Sequence, residues 1–132
     1  MIIHYNKLVR DRIPEIIESS GKSYTAEILS NEEYLRMLDA KLDEELAEYY
    51  KDQNIEELAD LLEVIRAAAV ARGYTIEDLE RVRSEKVAKR GGFEKRILLK
   101  TVVDPLETRS ITDRICQNKA AILEKVSVPM LE

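Results

Sequence analysis

Residues 44–60 read Glu44-Glu45-Leu46-Ala47-Glu48-Tyr49-Tyr50-Lys51-Asp52-Gln53-Asn54-Ile55-Glu56-Glu57-Leu58-Ala59-Asp60. Two acidic pairs, Glu45/Glu48 and Glu57/Asp60, stand almost symmetrically about the polar break Asp52-Gln53-Asn54. Each pair has i,i+3 spacing, so on a helix its two carboxylates share one face, about one turn apart. Two antiparallel helices joined near residue 53 would set Glu48 opposite Glu57 and Glu45 opposite Asp60. Four carboxylates then converge on one small volume. At an effective dielectric of about 20, each like-charged pair about 4 Å apart repels by roughly 4 kcal/mol, so the cluster calls for a cation. Hard divalent ions such as Mg²⁺ take oxygen ligands, and Mg²⁺ held by carboxylates commonly serves phosphate substrates.

The flanking sequence supplies those helices. Ser30-x-x-Glu33 is a capping-box signature, and the helix it opens should run to about Lys51. Its apolar stripe is Leu35, Leu38, Leu42 and Tyr49, and Glu45 falls in line with it. A carboxylate on a core-facing stripe is the informative kind of exception. Asn54 suits the N-cap of a second helix that ends near Arg72 before Gly73. From Leu58 to Ala71 that helix is apolar almost all round, broken by Asp60, Glu63 and Arg66, which marks it as central to a bundle. Two blander readings stand beside the cluster: Glu57 as the capping-box partner of Asn54, and Glu48 as a solvated helix residue.

Further along, Thr75-x-x-Asp78 opens a third long helix, reaching about Arg90 and halted by Gly91-Gly92. It is heavily charged, with Leu79, Val82 and Val87 as a thin apolar seam. Residues 1–29 read as an arm with a short helix over Pro14–Ser19, begun by the proline and stopped by Gly21. Phe93 to Val103 alternates enough to be extended, and Ser110-x-x-Asp113 caps a last helix bearing Ile111, Ile115, Ile122 and Val126. The expected architecture is an all-α helical bundle over residues 1–104, with a C-terminal helical extension over 105–132.

Composition agrees with that class. The chain has 132 residues, 45% apolar, 36% charged and 5% aromatic, a balance that favours helices over sheet. A net charge of −5 argues against a broad basic nucleic-acid surface. The single Cys116 forms no internal disulfide, and the longest apolar stretch, Ala67–Ala71, is far too short to span a bilayer. A soluble, cytoplasmic protein without membrane or nucleic-acid partners is expected. A di-iron carboxylate bundle would need Glu-x-x-His motifs on two helices, and the chain's one histidine is His4, in the arm.

Glu44-Glu45-Leu46-Ala47-Glu48 followed by Glu57-Leu58-Ala59-Asp60 resembles the EExxE…ExxD signature of the all-α NTP pyrophosphatase superfamily, which includes MazG-like and phosphoribosyl-ATP pyrophosphohydrolase-like enzymes. The opening Asn6-Lys7-Leu8-Val9-Arg10-Asp11-Arg12-Ile13-Pro14 and the later Lys89-Arg90-Gly91-Gly92-Phe93 are similar to the house-cleaning branch of the phosphoribosyl-ATP pyrophosphohydrolase-like group. The resemblance covers about residues 3–98. The acidic halves lie closer together than is typical of MazG, and the tail beyond about residue 104 matches nothing in the signature.

The resemblance implies a MazG-like bundle completed by a second chain as a homodimer. It implies Mg²⁺, with Mn²⁺ as a substitute, held by Glu45, Glu48, Glu57 and Asp60, which are then also the catalytic set. Glu44 and Glu63 rank below them: Glu44 points off the shared face, and Glu63, one turn after Asp60, would sit in an outer shell. A triphosphate also needs basic groups. Lys86, Lys89 and Arg90 cluster before the glycines, and Lys7, Arg10 and Arg12 form a second group in the arm. Of these, Lys7, Arg10, Lys86, Lys89 and Arg90 are the candidate substrate contacts, although basic residues at a helix C-terminus also suit the macrodipole. The expected activity is hydrolysis of a standard or noncanonical nucleoside triphosphate, or a phosphoribosyl-nucleotide, to monophosphate and pyrophosphate. The alternative is a non-catalytic helical module for nucleotide sensing or protein interaction.

Overall fold

The computed structural model describes residues 1–105, and these contain four helices and no strand. The expected tail helix with Ile111, Ile115, Ile122 and Val126, and nearly all of the extension over 105–132, lie outside the described residues. One compact unit spans Met1–Gly91 and a second begins at Gly92.

Each helix begins where its capping chemistry begins. The Ser30 side chain accepts a hydrogen bond from the Glu33 amide, and α2 runs Asn31–Asp52. The Asn54 side chain does the same for the Glu57 amide, opening α3 over Ile55–Ala71. Thr75 and Asp78 form a reciprocal capping box for α4, Ile76–Arg90. The short α1, Ile13–Ser19, carries Pro14 in its first turn, where a missing N–H costs nothing. At Ser30 and Asn54 only one half of the box forms, so the Glu33 and Glu57 carboxylates are not spent on their own caps.

Between α2 and α3 the chain turns on two residues. Gln53 adopts the left-handed conformation (φ 50°, ψ 38°) and its amide donates to the Tyr49 carbonyl at 2.7 Å. Helices joined so tightly must run antiparallel as an αα-hairpin. The Arg72 guanidinium, just past α3, accordingly lies 3.9 Å from Asp39, early in α2. The two helices pack along most of their length, and α4 packs on α3 alone.

The core between them is thin. Leu38 is 3% exposed and Val64 is 9% exposed, and no other apolar residue among those described is fully buried. Leu35, Leu42 and Tyr49 of α2 and Leu61, Ala68 and Ala71 of α3 are half-buried around them. The near-continuous apolarity of α3 predicts a helix enclosed on all sides, and here the structure differs. Ile55, Leu58, Leu62 and Ile65 are exposed, because α2 and α4 cover only part of the helix surface.

The extended reading of Phe93–Val103 finds no strand partner among the described residues. This stretch is irregular, and Phe93, Ile97 and Leu98 are exposed. No helix among the described residues is long and apolar enough to cross a membrane.

Candidate metal centre

The hairpin turn fixes the register of the acidic residues. α2 presents Glu45 on its packing stripe, where the side chain is 13% exposed. α3 presents Glu57 and Asp60 on the turns that face it. Carboxylate oxygens of Glu45, Glu57 and Asp60 lie within 4.8 Å of one another. Glu48 is not in that trio. It forms an adjoining one with Asp52 and Glu57, whose oxygens also lie within 4.8 Å of one another, so Glu57 is common to both groups.

The chemistry of this donor set fits a hard divalent cation. Oxygen-only donors from carboxylates, with space left for water, are what Mg²⁺ and Mn²⁺ prefer. Lys7, Lys41 and Arg10 pair with Glu44, Glu45 and Asp60, whereas Glu48, Asp52 and Glu57 have no ion pair among the described residues. The Glu57 carboxyl is accordingly pushed above its ordinary range, first by desolvation and then by the negative charges of Asp52, Asp60, Glu48 and Glu45.

Asp52 enters this cluster without having been singled out in the sequence, where it reads as part of the polar break. Its signal was present, since it stands one turn beyond Glu48 on the same helix. Lys41 was likewise passed over. It sits one turn before Glu45 and bridges both acids, 3.3 Å from Glu44 and 3.4 Å from Glu45.

Glu44 turns away from the trio and takes the Lys7 ammonium at 2.8 Å. That hydrogen bond leads the effects holding the Glu44 carboxyl below its usual value, with Lys41 adding to it. The same contact raises the Lys7 ammonium, helped by the charges of Glu45 and Glu48. Arg10 reaches the other helix, its Nη2 lying 2.6 Å from the Asp60 carboxylate. Arg12 instead pairs with Glu15 at 3.5 Å, away from the cluster.

Glu63 is exposed and lies 3.9 Å from Arg66 rather than within either trio. Both line an open cleft of about 300 Å³ with Tyr34 and Ala67, further along the hairpin. Lys86, Lys89 and Arg90 are exposed on the last turns of α4, before Gly91.

No protein-family profile matches the chain. No solved structure matches it either. Over 42 residues, 32% of its length, it is 60% identical to an uncharacterized protein of Mycolicibacterium smegmatis strain mc(2)155, covering 43% of that protein. The chain thus spans less than half the length of the curated relative it matches.

Proposed function

We propose that this chain is a Mg²⁺-dependent nucleoside triphosphate pyrophosphohydrolase of the MazG-like type, acting in the cytoplasm on a standard or noncanonical nucleotide, or a phosphoribosyl-nucleotide, to give monophosphate and pyrophosphate. The observation that carries this reading is the meeting of Glu45, Glu57 and Asp60 from two helices within 4.8 Å. A lone carboxylate on a packing face is a liability, and a divalent cation would relieve the repulsion among three.

Glu45, Glu57 and Asp60 would hold a divalent cation, which when bound would offset phosphate charge and make a water more acidic. Glu48 with Asp52 extends the oxygen-rich wall toward the hairpin turn. Glu57 stands in both groups, so a cation held by either would have it as a ligand. Lys7 and Arg10 already lie beside the acids and are the nearest cations for phosphate oxygens. Lys89 and Arg90, in the last turn of α4, belong to the signature around Gly91-Gly92, and Lys86, one turn earlier, joins them as a candidate phosphate contact. The exposed stripe Ile55, Leu58, Leu62 and Ile65 is the face on which a second copy of the chain would complete the bundle.

Incubation with a panel of triphosphates and Mg²⁺ tests the assignment, with pyrophosphate as the product to detect. In ¹⁸O-labelled water, label in the monophosphate marks attack at the α-phosphorus. Label in pyrophosphate marks attack at the β-phosphorus. Release of orthophosphate and a nucleoside diphosphate would overturn the pyrophosphohydrolase reading. Nucleotide binding without turnover would favour the sensing module instead.

A further inference from the structure

Two cations three residues apart in the arm reach two different helices. Lys7 pairs with Glu44 on α2 at 2.8 Å, and Arg10 pairs with Asp60 on α3 at 2.6 Å. Asn6, in the left-handed conformation (φ 48°), sets the turn that delivers Lys7, and asparagine tolerates that conformation better than most residues. The arm therefore lies across the turn end of the hairpin as a strap, pinned on both sides of the acidic cluster.

The strap is lightly held. Within residues 1–12 only Leu8 is even half-buried, and the other eleven residues are exposed. No backbone hydrogen bond ties residues 1–9 to another element. Its attachment thus rests on Leu8 and the two ion pairs, and exposed ion pairs each contribute little. A segment fastened this way opens cheaply.

Asp60 cannot serve a guanidinium and a divalent cation equally well. Like charges on one carboxylate repel, and the doubly charged ion is the stronger competitor for an oxygen-only site that includes Glu45 and Glu57. We propose that Arg10 is a built-in counter-ion for Asp60 that gives way when a divalent cation binds, so that cation binding unpins the arm and turns its guanidinium from carboxylate to phosphate. This rests on reading the acidic cluster as the cation site. The consequence is an order of events: cation first, then an arm freed to close over an anionic ligand. It also keeps the cluster from standing bare when no cation is present.

Calorimetric titration of the full chain with Mn²⁺, paired with limited trypsin digestion after Lys7 and Arg10, tests this. Arg10→Gln should bind Mn²⁺ about three- to tenfold more tightly than the wild type, the range expected for removing one exposed competing charge. Arg12→Gln removes the same charge from a residue paired with Glu15, and it should leave the affinity unchanged. In the wild type, saturation with Mn²⁺ should speed cleavage after Arg10. Equal affinity of the wild type and Arg10→Gln would overturn the exchange while leaving the cation site standing. So would an equal gain in Arg12→Gln, or cleavage after Arg10 unaltered by Mn²⁺. Failure of every variant to bind Mn²⁺ would remove the cation site itself, and the proposal with it.

Discussion

The Arg10 guanidinium and the Asp60 carboxylate meet at 2.6 Å, although fifty residues separate them in the chain. This contact changes which acid bears the electrostatic strain of the cluster. Asp60 and Glu45 each have a cation, Arg10 and Lys41. Glu57 has none among the described residues, and desolvation, followed by the charges of its acidic neighbours, pushes its proton affinity up. In chelator-treated protein at neutral pH, Glu57→Gln should therefore raise Tm by about 2 °C, a gain typical of relieving one surface repulsion. Asp60→Asn should give no gain, because it also forfeits the charge pairing with Arg10. Thermal melts of the two variants side by side decide the matter.

Mg²⁺ and Mn²⁺ should raise the Tm of the wild type, because a ligand held only by the native state stabilises it by mass action. At a free concentration about a hundred times Kd the gain is about 2.7 kcal/mol. Glu57→Gln should lose most of it, since Glu57 belongs to both carboxylate groups. Glu44→Gln should keep most of it, since Glu44 is turned toward Lys7 and Lys41. Differential scanning calorimetry with and without the ion reads all three. A melting temperature indifferent to both ions would contradict the cation site.

The all-helical class was legible because every long helix announces its own start. Ser30, Asn54 and Thr75 each cap at the position where the sequence pattern places them. The symmetry of acidic spacing about Gln53 was legible too, since a two-residue turn leaves antiparallel helices one register. The partners of the acids were not. Lys41 is visible only once Glu45 is known to face inward, and the pairing of Arg10 with Asp60 depends on how an irregular arm crosses two helices. Periodicity carries no information about such a path. Nor can an apolar helix reveal how many of its faces are covered, which is why α3 reads as enclosed yet leaves Leu62 in the open.

Leu38 is the most deeply buried apolar side chain among the described residues, 3% exposed. Leu38→Ala should cost about 2–3 kcal/mol, the lower part of the usual range for leucine truncation. The half-buried neighbours in so thin a core can settle into the space. Urea denaturation, comparing midpoints at constant slope, measures the loss.

At the start of α4, the Thr75 hydroxyl accepts from the Asp78 amide while the Asp78 carboxylate accepts from the Thr75 amide at 2.9 Å. Thr75→Ala should cost about 1 kcal/mol of stability. The backbone hydrogen bond from Thr75 heads the effects that depress the Asp78 carboxyl below its ordinary 3.8. A depressed carboxyl stabilises the fold above its ordinary value, and that contribution is lost as the pH falls through the depressed one. The stability gap between wild type and Asp78→Ala should thus be full above about pH 5 and close in stronger acid. A gap that widened on acidification would contradict the capping role.

Ile55, Leu58, Leu62 and Ile65 repeat at alternating steps of three and four residues along α3, and all four are exposed. Leu46 and Tyr50 of α2 are exposed as well. A row of exposed apolar side chains along one helix suits an association face. A second copy is the occupant proposed above, because among the described residues only Leu38 and Val64 are fully buried and the hairpin has little core. Melting temperature should therefore rise with protein concentration, as it does for any assembly that dissociates on unfolding. Leu62→Asp places a charge in the middle of the stripe without touching Glu45, Glu57 or Asp60. It should convert the protein to a smaller species by sedimentation equilibrium and abolish the concentration dependence of melting. An unchanged mass in that variant, with melting as in the wild type, would show that this stripe is not where the copies meet.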